Sequence, residues 1–154
     1  MTAKKQEVLV FDPGKCTSCL VCEVSCSFKH YGVISFEKSF IKIVPDPMIT
    51  FRFIAAHCAH CEHPMCKASC PSDAIVKNED SGIVRIDRVR CIGCLYCQIA
   101  CPVSNPQFDE ELKVAMKCDL CDGDPLCAKQ CPTGAISFVD RENARKLVEE
   151  ERNE

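Results

Sequence analysis

The sequence predicts an α+β fold of two nested modules, in which short hairpins and short helices surround inorganic groups and little interior is left for an apolar core. Three observations carry that reading. The 154-residue chain has 16 cysteines in four blocks, with none left over. Short β-branched runs of period two lie between the blocks. The segments flanking the outer two blocks repeat those flanking the inner two.

The clearest block is Cys91, Cys94, Cys97 and Cys101-Pro102. Its C-x2-C-x2-C-x3-C-P spacing is the run with which bacterial ferredoxins hold 4Fe–4S clusters. A tight loop turns three thiolates two residues apart to one point. The fourth, followed by a proline that breaks the local turn, points away to a different cluster. One block therefore needs a partner block. The other three are variants. Cys16, Cys19, Cys22 and Cys26 carry Ser27 where the others carry proline. Cys58, Cys61, Cys66 and Cys70-Pro71 have four residues in the middle gap, and Cys118, Cys121, Cys127 and Cys131-Pro132 have five. Sixteen thiolates suffice for four 4Fe–4S clusters.

Composition excludes several classes. Cysteine at this density in a secreted chain would mean a disulfide scaffold, but triplets followed by C-x3-C are ligand spacing. The segment Met1 to Glu7 has no apolar signal core, there is no twin-arginine signal, and no apolar run approaches about 18 residues. These features lead us to expect a reducing cytoplasm and no direct membrane insertion. Zinc is the alternative from another class, as a zinc-ribbon interaction protein, since four-thiolate zinc sites also use C-x2-C pairs. Zinc pairs, however, require neither a triplet nor a remote fourth cysteine. The net charge of −3 counts thiols as neutral, and oxidised clusters would each add about two negative charges. Nucleic acid, which needs a basic stripe, is not an expected partner. No nucleophile–base constellation, glycine-rich phosphate loop or flavin signature appears. We expect no catalytic residues, no cofactor-binding residues beyond the cluster ligands, and catalysis in another chain.

In sequence order, Glu7 to Phe11 reads as a strand, and Asp12-Pro13-Gly14 as a turn into the first block. Residues 20–28 read as a helical turn carrying Cys22 and Cys26 at i, i+4. Residues 40–44 and 50–54 alternate as paired strands joined by Pro45-Asp46-Pro47. Asp73 to Lys77 and Gly82 to Asp87 bracket a polar loop as a hairpin. Ser72 to Val76 after Cys70 is matched by Thr133 to Asp140 after Cys131, and Ile86-Asp87 before Cys91 by Val10-Phe11-Asp12 before Cys16. The outer blocks should therefore close around the inner ones. We expect one four-cluster domain over 8–140, with an inner module at 55–105 and an outer module at 8–35 plus 112–140. Residues 141–154 read as a charged helix or tail with Ala144, Leu147 and Val148 on one face. A plain surface helix is the reading there, a partner-docking element its alternative.

At His60-Cys61-Glu-His-Pro64-Met-Cys66 and Lys117-Cys118-Asp-Leu-Cys121-Asp-Gly-Asp-Pro125 the sequence resembles a known family. It is similar to the four-cluster, ferredoxin-like electron-transfer subunits of molybdenum and tungsten oxidoreductases. These include the iron–sulfur subunits of dimethyl-sulfoxide-reductase and formate-dehydrogenase type enzymes, and the small partners of tungsten aldehyde oxidoreductases and benzoyl-CoA reductases. The resemblance covers about residues 8 to 140, and Gly123-Asp-Pro125 looks most like the tungsten aldehyde oxidoreductase partners.

That resemblance implies four ligand sets, each taking three cysteines from one block and the last from its partner: Cys16, Cys19, Cys22 with Cys131; Cys118, Cys121, Cys127 with Cys26; Cys58, Cys61, Cys66 with Cys101; and Cys91, Cys94, Cys97 with Cys70. It also implies a relay between a large tungsten- or molybdenum-pterin catalytic subunit and a second partner, such as a flavin/NAD or ferredoxin protein, in an anaerobic metabolism. A free-standing polyferredoxin, or a subunit of a formate dehydrogenase or hydrogenase, is the alternative. The chain departs from the family at Ser27, and it lacks the long insertions and membrane-anchoring segment of respiratory members.

Several other residues invite a reading. His57, His60 and His63 read as donors to cluster sulfurs or as partner-facing surface, because each cluster already has four thiolates. Tyr96 and Phe28 read as packing against clusters. Lys15, Arg90 and Lys117 each precede the first cysteine of a block, where a positive charge would favour a reduced cluster, or where ordinary solvated side chains would stand. Phe36, Phe40, Phe51 and Phe53 read as part of a docking face for the larger subunit, or else as cover for the outer clusters.

Overall fold

The computed structural model describes residues 6–152. Met1 to Lys5, part of the N-terminal stretch Met1 to Glu7 read above, and the last two residues of the tail lie outside them. The two ends of the fold meet first. Strand β1 (Glu7–Phe11) pairs antiparallel with β8 (Ile136–Asp140), from Glu7 opposite Asp140 to Phe11 opposite Ile136. Inside, β4 (Ile75–Lys77) pairs with β5 (Val84–Ile86) as the expected hairpin.

The two pairings share one joint. Asp12 N–H donates to the Ala135 carbonyl at 2.8 Å, and Asp87 N–H to the Ala74 carbonyl at 2.7 Å. Each aspartate then makes a turn by accepting from a backbone N–H two residues on, Gly14 and Val89, both at 2.9 Å. Each also pairs with the base before the next cysteine, Lys15 at 2.8 Å and Arg90 at 3.5 Å. The repeat visible in the flanking segments is thus a repeated piece of backbone geometry.

Strand β2 (Lys42–Pro45) pairs with β3 (Phe53–Ala56), two to three residues later than the alternation suggested. The reason is burial. Phe40 and Ile41 belong to the core, at 1 % and 2 % exposure, so their alternation reports packing and not a strand. Thr50 and Phe51 belong to the turn, where Phe51 adopts a left-handed φ of 62°, and Asp46 Oδ1 accepts from Met48 N–H at 2.8 Å and Ile49 N–H at 3.2 Å. A further hairpin, β6 (Gln107–Asp109) with β7 (Val114–Met116), stands between the third and fourth blocks. It was not foreseen, because each strand is only three residues long and too short for a period to register.

Helices α2 (Met65–Ala68), α3 (Tyr96–Ile99) and α4 (Leu126–Lys129) are single turns. Helix α1 (Val21–Tyr31) runs for 11 residues, well past the expected turn, to a left-handed Gly32 whose N–H donates to the Phe28 carbonyl at 2.8 Å. This explains Ser27. A proline after Cys26 would remove a hydrogen bond from the helix interior and clash with the preceding turn. Ser27 is fully buried, donates to the Val24 carbonyl at 3.1 Å and accepts from Ser35 N–H at 3.2 Å.

The main core gathers Leu9, Phe40, Ile41, Val114, Leu120 and Ile136 around Cys22, Cys26 and Cys127. A second, smaller core joins Ile75, Val84 and Ala115 to Cys97. Helix α5 (Arg141–Arg152) packs on β1 and β8 and buries Ala144. Arg141 Nη2 donates to the His60 carbonyl at 2.6 Å, and Arg145 pairs with Glu62 at 2.9 Å. The helix is thus docked on its own chain, while Leu147 and Val148 stay largely exposed. Among the described residues no helix is long and apolar enough to cross a membrane.

Candidate metal centres

The first C-x-x-C loop of each block turns on a left-handed residue before its second cysteine: Ser18 (φ 54°), His60 (43°), Gly93 (71°) and Leu120 (55°). Such a turn gathers backbone N–H groups on the concave side, where an anionic group is stabilised. Gly93 is the tightest of them. A Cβ there would stand 2.6 Å from the Lys113 carbonyl oxygen and 3.1 Å from Phe108, so only glycine fits. Other backbone N–H groups already donate to sulfur: Phe40 to Cys26 Sγ, Ala74 to Cys70 Sγ and Ala115 to Cys91 Sγ, each at 3.3 Å.

The thiols fall together in fours. Cys58, Cys61, Cys66 and Cys101 line one cavity of about 150 Å³. Cys16, Cys19, Cys22 and Cys131 line a second concavity, and Cys70, Cys91, Cys94 and Cys97 a third. Cys26 sits close enough to Cys118, Cys121 and Cys127 to press on the charge of each, where α1 packs on α4. All 16 cysteines are free.

Burial dominates their acidity. It pushes Cys22 and Cys127 up to about 12 and Cys97 to about 11, and holds Cys118 well above the thiol range. Such thiols become thiolates when a metal replaces the proton. At Cys70 and Cys131 burial acts in the same direction but loses. The Ser72 hydroxyl at 3.6 Å and the Thr133 hydroxyl at 3.7 Å, together with nearby backbone N–H groups, bring both below the ordinary value. The thiols also couple between sets, Cys127 with Cys22, Cys118 with Cys58, and Cys97 with Cys66. These three links connect the four sets one to the next.

The remaining residues separate sharply. His63 is exposed, and the half-buried His57 has its Nδ1 3.3 Å from the Cys58 carbonyl oxygen. His60 is 1 % exposed, and its Nδ1 accepts from Val84 N–H at 2.9 Å. Lys15 and Arg90 are exposed and paired as described, whereas Lys117 is buried, donating to the carbonyls of Val84 and Cys118, each at 2.7 Å. Phe28 and Tyr96 do not pack on the centres. Both are exposed, because they occupy the helix faces turned away from Cys26 and Cys97.

One residue was missed. His30 Nε2 lies 3.8 Å from Cys121 Sγ and 3.6 Å from Asp119, and its ring meets Phe40 edge-on at 5.0 Å. The signal was its spacing, since Cys22, Cys26 and His30 recur every fourth residue on one face of α1. Reading the helix as a single turn hid it.

Soft, desolvated thiols in fours, with backbone donors aimed at sulfur, fit an iron–sulfur cluster. An orphaned donor fits it as well: the buried His60 Nε2 has no partner, in a residue that lines the cavity of Cys58. The comparisons agree. Residues 49–141 match the family described as 4Fe-4S dicluster domain. The protein is 36% identical over 154 residues to the B subunit of the anaerobic dimethyl sulfoxide reductase of Escherichia coli (strain K12), a match that covers 88% of this sequence and 74% of that one. It is 33% identical over 136 residues to NADH-dependent phenylglyoxylate dehydrogenase subunit beta of Aromatoleum evansii, where it spans 88% of itself but only 30% of the relative's length. Among solved structures it resembles one subunit of the active site complex BamBC of benzoyl coenzyme A reductase with 1,5-dienoyl-CoA. That match has a TM-score of 0.51 and 25% identity, over 90% of this sequence and 78% of the other. The protein belongs to the 4Fe–4S dicluster domain family. It is an iron–sulfur electron-transfer protein of ferredoxin-like α+β fold, not itself catalytic, and the zinc-ribbon alternative is not favoured.

Proposed function

We propose that the chain carries four 4Fe–4S clusters and relays electrons, in the cytoplasm, between a molybdenum- or tungsten-pterin catalytic subunit and a second redox partner. The four ligand sets are those that join three cysteines of one block to the last of its partner. The nested modules over 55–105 and over 8–35 plus 112–140 are the units that hold them. The observation that supports the assignment is the crossing of blocks, with Cys101 in the cavity of Cys58, Cys61 and Cys66, and Cys26 among Cys118, Cys121 and Cys127. Bound clusters supply one-electron chemistry. The residues of the protein space them, exclude water from them and set their potentials through burial, hydrogen bonds and charge.

The two ends of the linked sets carry apolar surface suited to partners. Ile43 of β2 lines the concavity of Cys16, Cys19, Cys22 and Cys131. The adjoining segment exposes Ile34, Phe36, Met48 and, at 94 %, Phe51, more than an isolated surface residue would require. This is the face we assign to the catalytic subunit. Phe40 is no part of it, being buried with its N–H on Cys26 Sγ. At the far end Val89, Ile92, Tyr96 and Ile99 are exposed beside Cys91, Cys94 and Cys97, a second face for the other partner. Anaerobic purification from the native cell tests the assignment. Co-purification of a large pterin protein, lost in Phe51→Asp and Met48→Asp while iron content holds, is the expected result. A fully loaded free chain with no partner would overturn it in favour of a free polyferredoxin.

A further inference from the structure

The cavity of Cys58, Cys61, Cys66 and Cys101 differs from the other two in its lining. It is bordered by an imidazole and an ammonium group, His60 and Lys117, whereas the concavities around Cys16 and Cys91 have no charged residue or histidine in their walls. Both groups are buried, and both are held by the same residue of β5. Val84 gives its N–H to His60 Nδ1 at 2.9 Å, and its carbonyl accepts from Lys117 Nζ at 2.7 Å.

The bond from Val84 settles the tautomer. A ring nitrogen that accepts a backbone N–H carries no proton, so the single proton of the neutral ring sits on Nε2. That Nε2–H is buried without a partner. Leaving a desolvated donor without an acceptor is destabilising, so its retention needs an acceptor. Cluster sulfur, held by the thiols that line the same cavity, is such an acceptor. The fold also commits backbone conformation to the arrangement. His60 has φ 43°, and Arg141 clamps its carbonyl at 2.6 Å. Lys117 is the second half of the device. Its two hydrogen bonds go to carbonyls, which leave its charge uncompensated, and among the described residues no carboxylate pairs with it. A buried cation of this kind needs an anion nearby.

The protein contains its own control. Leu120 holds the position of His60 in the fourth block, between the same two cysteines of a C-x-x-C loop, with a similar φ of 55° and the same 1 % exposure. An apolar side chain therefore satisfies the fold at this place, and the polar one is there for another reason.

We infer that His60 Nε2–H and the Lys117 ammonium are donors to the cluster of Cys58, Cys61, Cys66 and Cys101 and raise its reduction potential, making a favoured resting place for the electron among the four. The inference rests on the four-cluster reading. Reduction of a cluster held there would add one electron with no bond formed or broken and no proton moved, and the two donors would favour the added negative charge.

The test is a redox titration of anaerobically prepared holoprotein, followed by the paramagnetic signals of each reduced cluster. In His60→Asn the amide oxygen can still accept from Val84 but nothing reaches the Nε2 position; in His60→Gln an amide N–H does. We expect a negative shift of one cluster alone in His60→Asn, recovery toward the parent value in His60→Gln, and a further negative shift in Lys117→Met. A purely structural role for His60 predicts the opposite order, with His60→Asn unmoved and His60→Gln altered, and would overturn the inference. Should the variants lose iron, labelling with ¹⁵N-histidine decides. In the His30→Gln protein, which removes the imidazole beside Cys121, coupling of one imidazole nitrogen and an exchangeable proton to a reduced cluster supports the inference, and its absence refutes it. Failure of the functional reading is distinguishable, because then the parent protein itself lacks the full iron content.

Discussion

Gly93→Ala tests how tightly the third block is built. Two costs follow from its surroundings. Alanine at φ +71° sits in the left-handed region, at about 1–2 kcal/mol. Its Cβ would also stand 2.6 Å from the Lys113 carbonyl oxygen, and relieving an overlap of that kind adds about 1–3 kcal/mol. The sum is about 2–5 kcal/mol. Gly134 isolates the second cost, since its φ is +67° but nothing lies within 4 Å of an added Cβ. Gly134→Ala should cost only about 1–2 kcal/mol. For a chain of this size each kcal/mol lowers the unfolding midpoint by about 2–4 °C. We therefore expect a drop of about 4–20 °C for Gly93→Ala and about 2–8 °C for Gly134→Ala. The assay is the loss of visible cluster absorption on heating, under anaerobic conditions and at one scan rate, because cluster loss makes the transition irreversible. Equal midpoints for the two variants would refute the reasoning, since the carbonyl of Lys113 would then exert no constraint on the Cys91–Cys94 loop.

Cys131→Ala should damage the cluster of Cys16, Cys19 and Cys22 and spare that of Cys118, Cys121 and Cys127, while Cys26→Ala should do the reverse; signals of the individual reduced clusters distinguish the outcomes, and damage confined to the mutated block would refute the crossing. Ser27→Pro, which restores the proline found after the other three fourth cysteines, should destabilise the protein by about 3 kcal/mol or more and lower helical circular dichroism. An unchanged midpoint there would mean that α1 does not depend on continuity through Cys26.

Legibility followed the length of the signal. The cysteine spacing pointed to which thiols gather, and the repeated Asp12 and Asp87 contexts pointed to two like joints, at Ala135 and at Ala74, because a tight turn beside a cysteine leaves few residue choices. Hairpin β4–β5 came from two short apolar runs around a polar loop, whereas the association of β1 with β8 came from the match of their segments to those flanking the inner blocks. What failed was read from too little sequence. Residues 40 and 41 alternate like a strand but are core, and β6 and β7 are too short to show a period. Phe28 and Tyr96 adjoin cysteines in sequence yet face solvent, since on a helix neighbours in sequence point apart. His60 and Lys117 were noted only as two of several bases near cysteines. What sets them apart is tertiary: both reach Val84, which lies more than twenty residues from either.

The most direct test of the whole account is metal analysis of anaerobically purified protein. Four clusters require about 16 iron and 16 acid-labile sulfide per chain, with broad visible absorption bleached by dithionite. Stoichiometric zinc, or a reproducible count near eight iron, would contradict it.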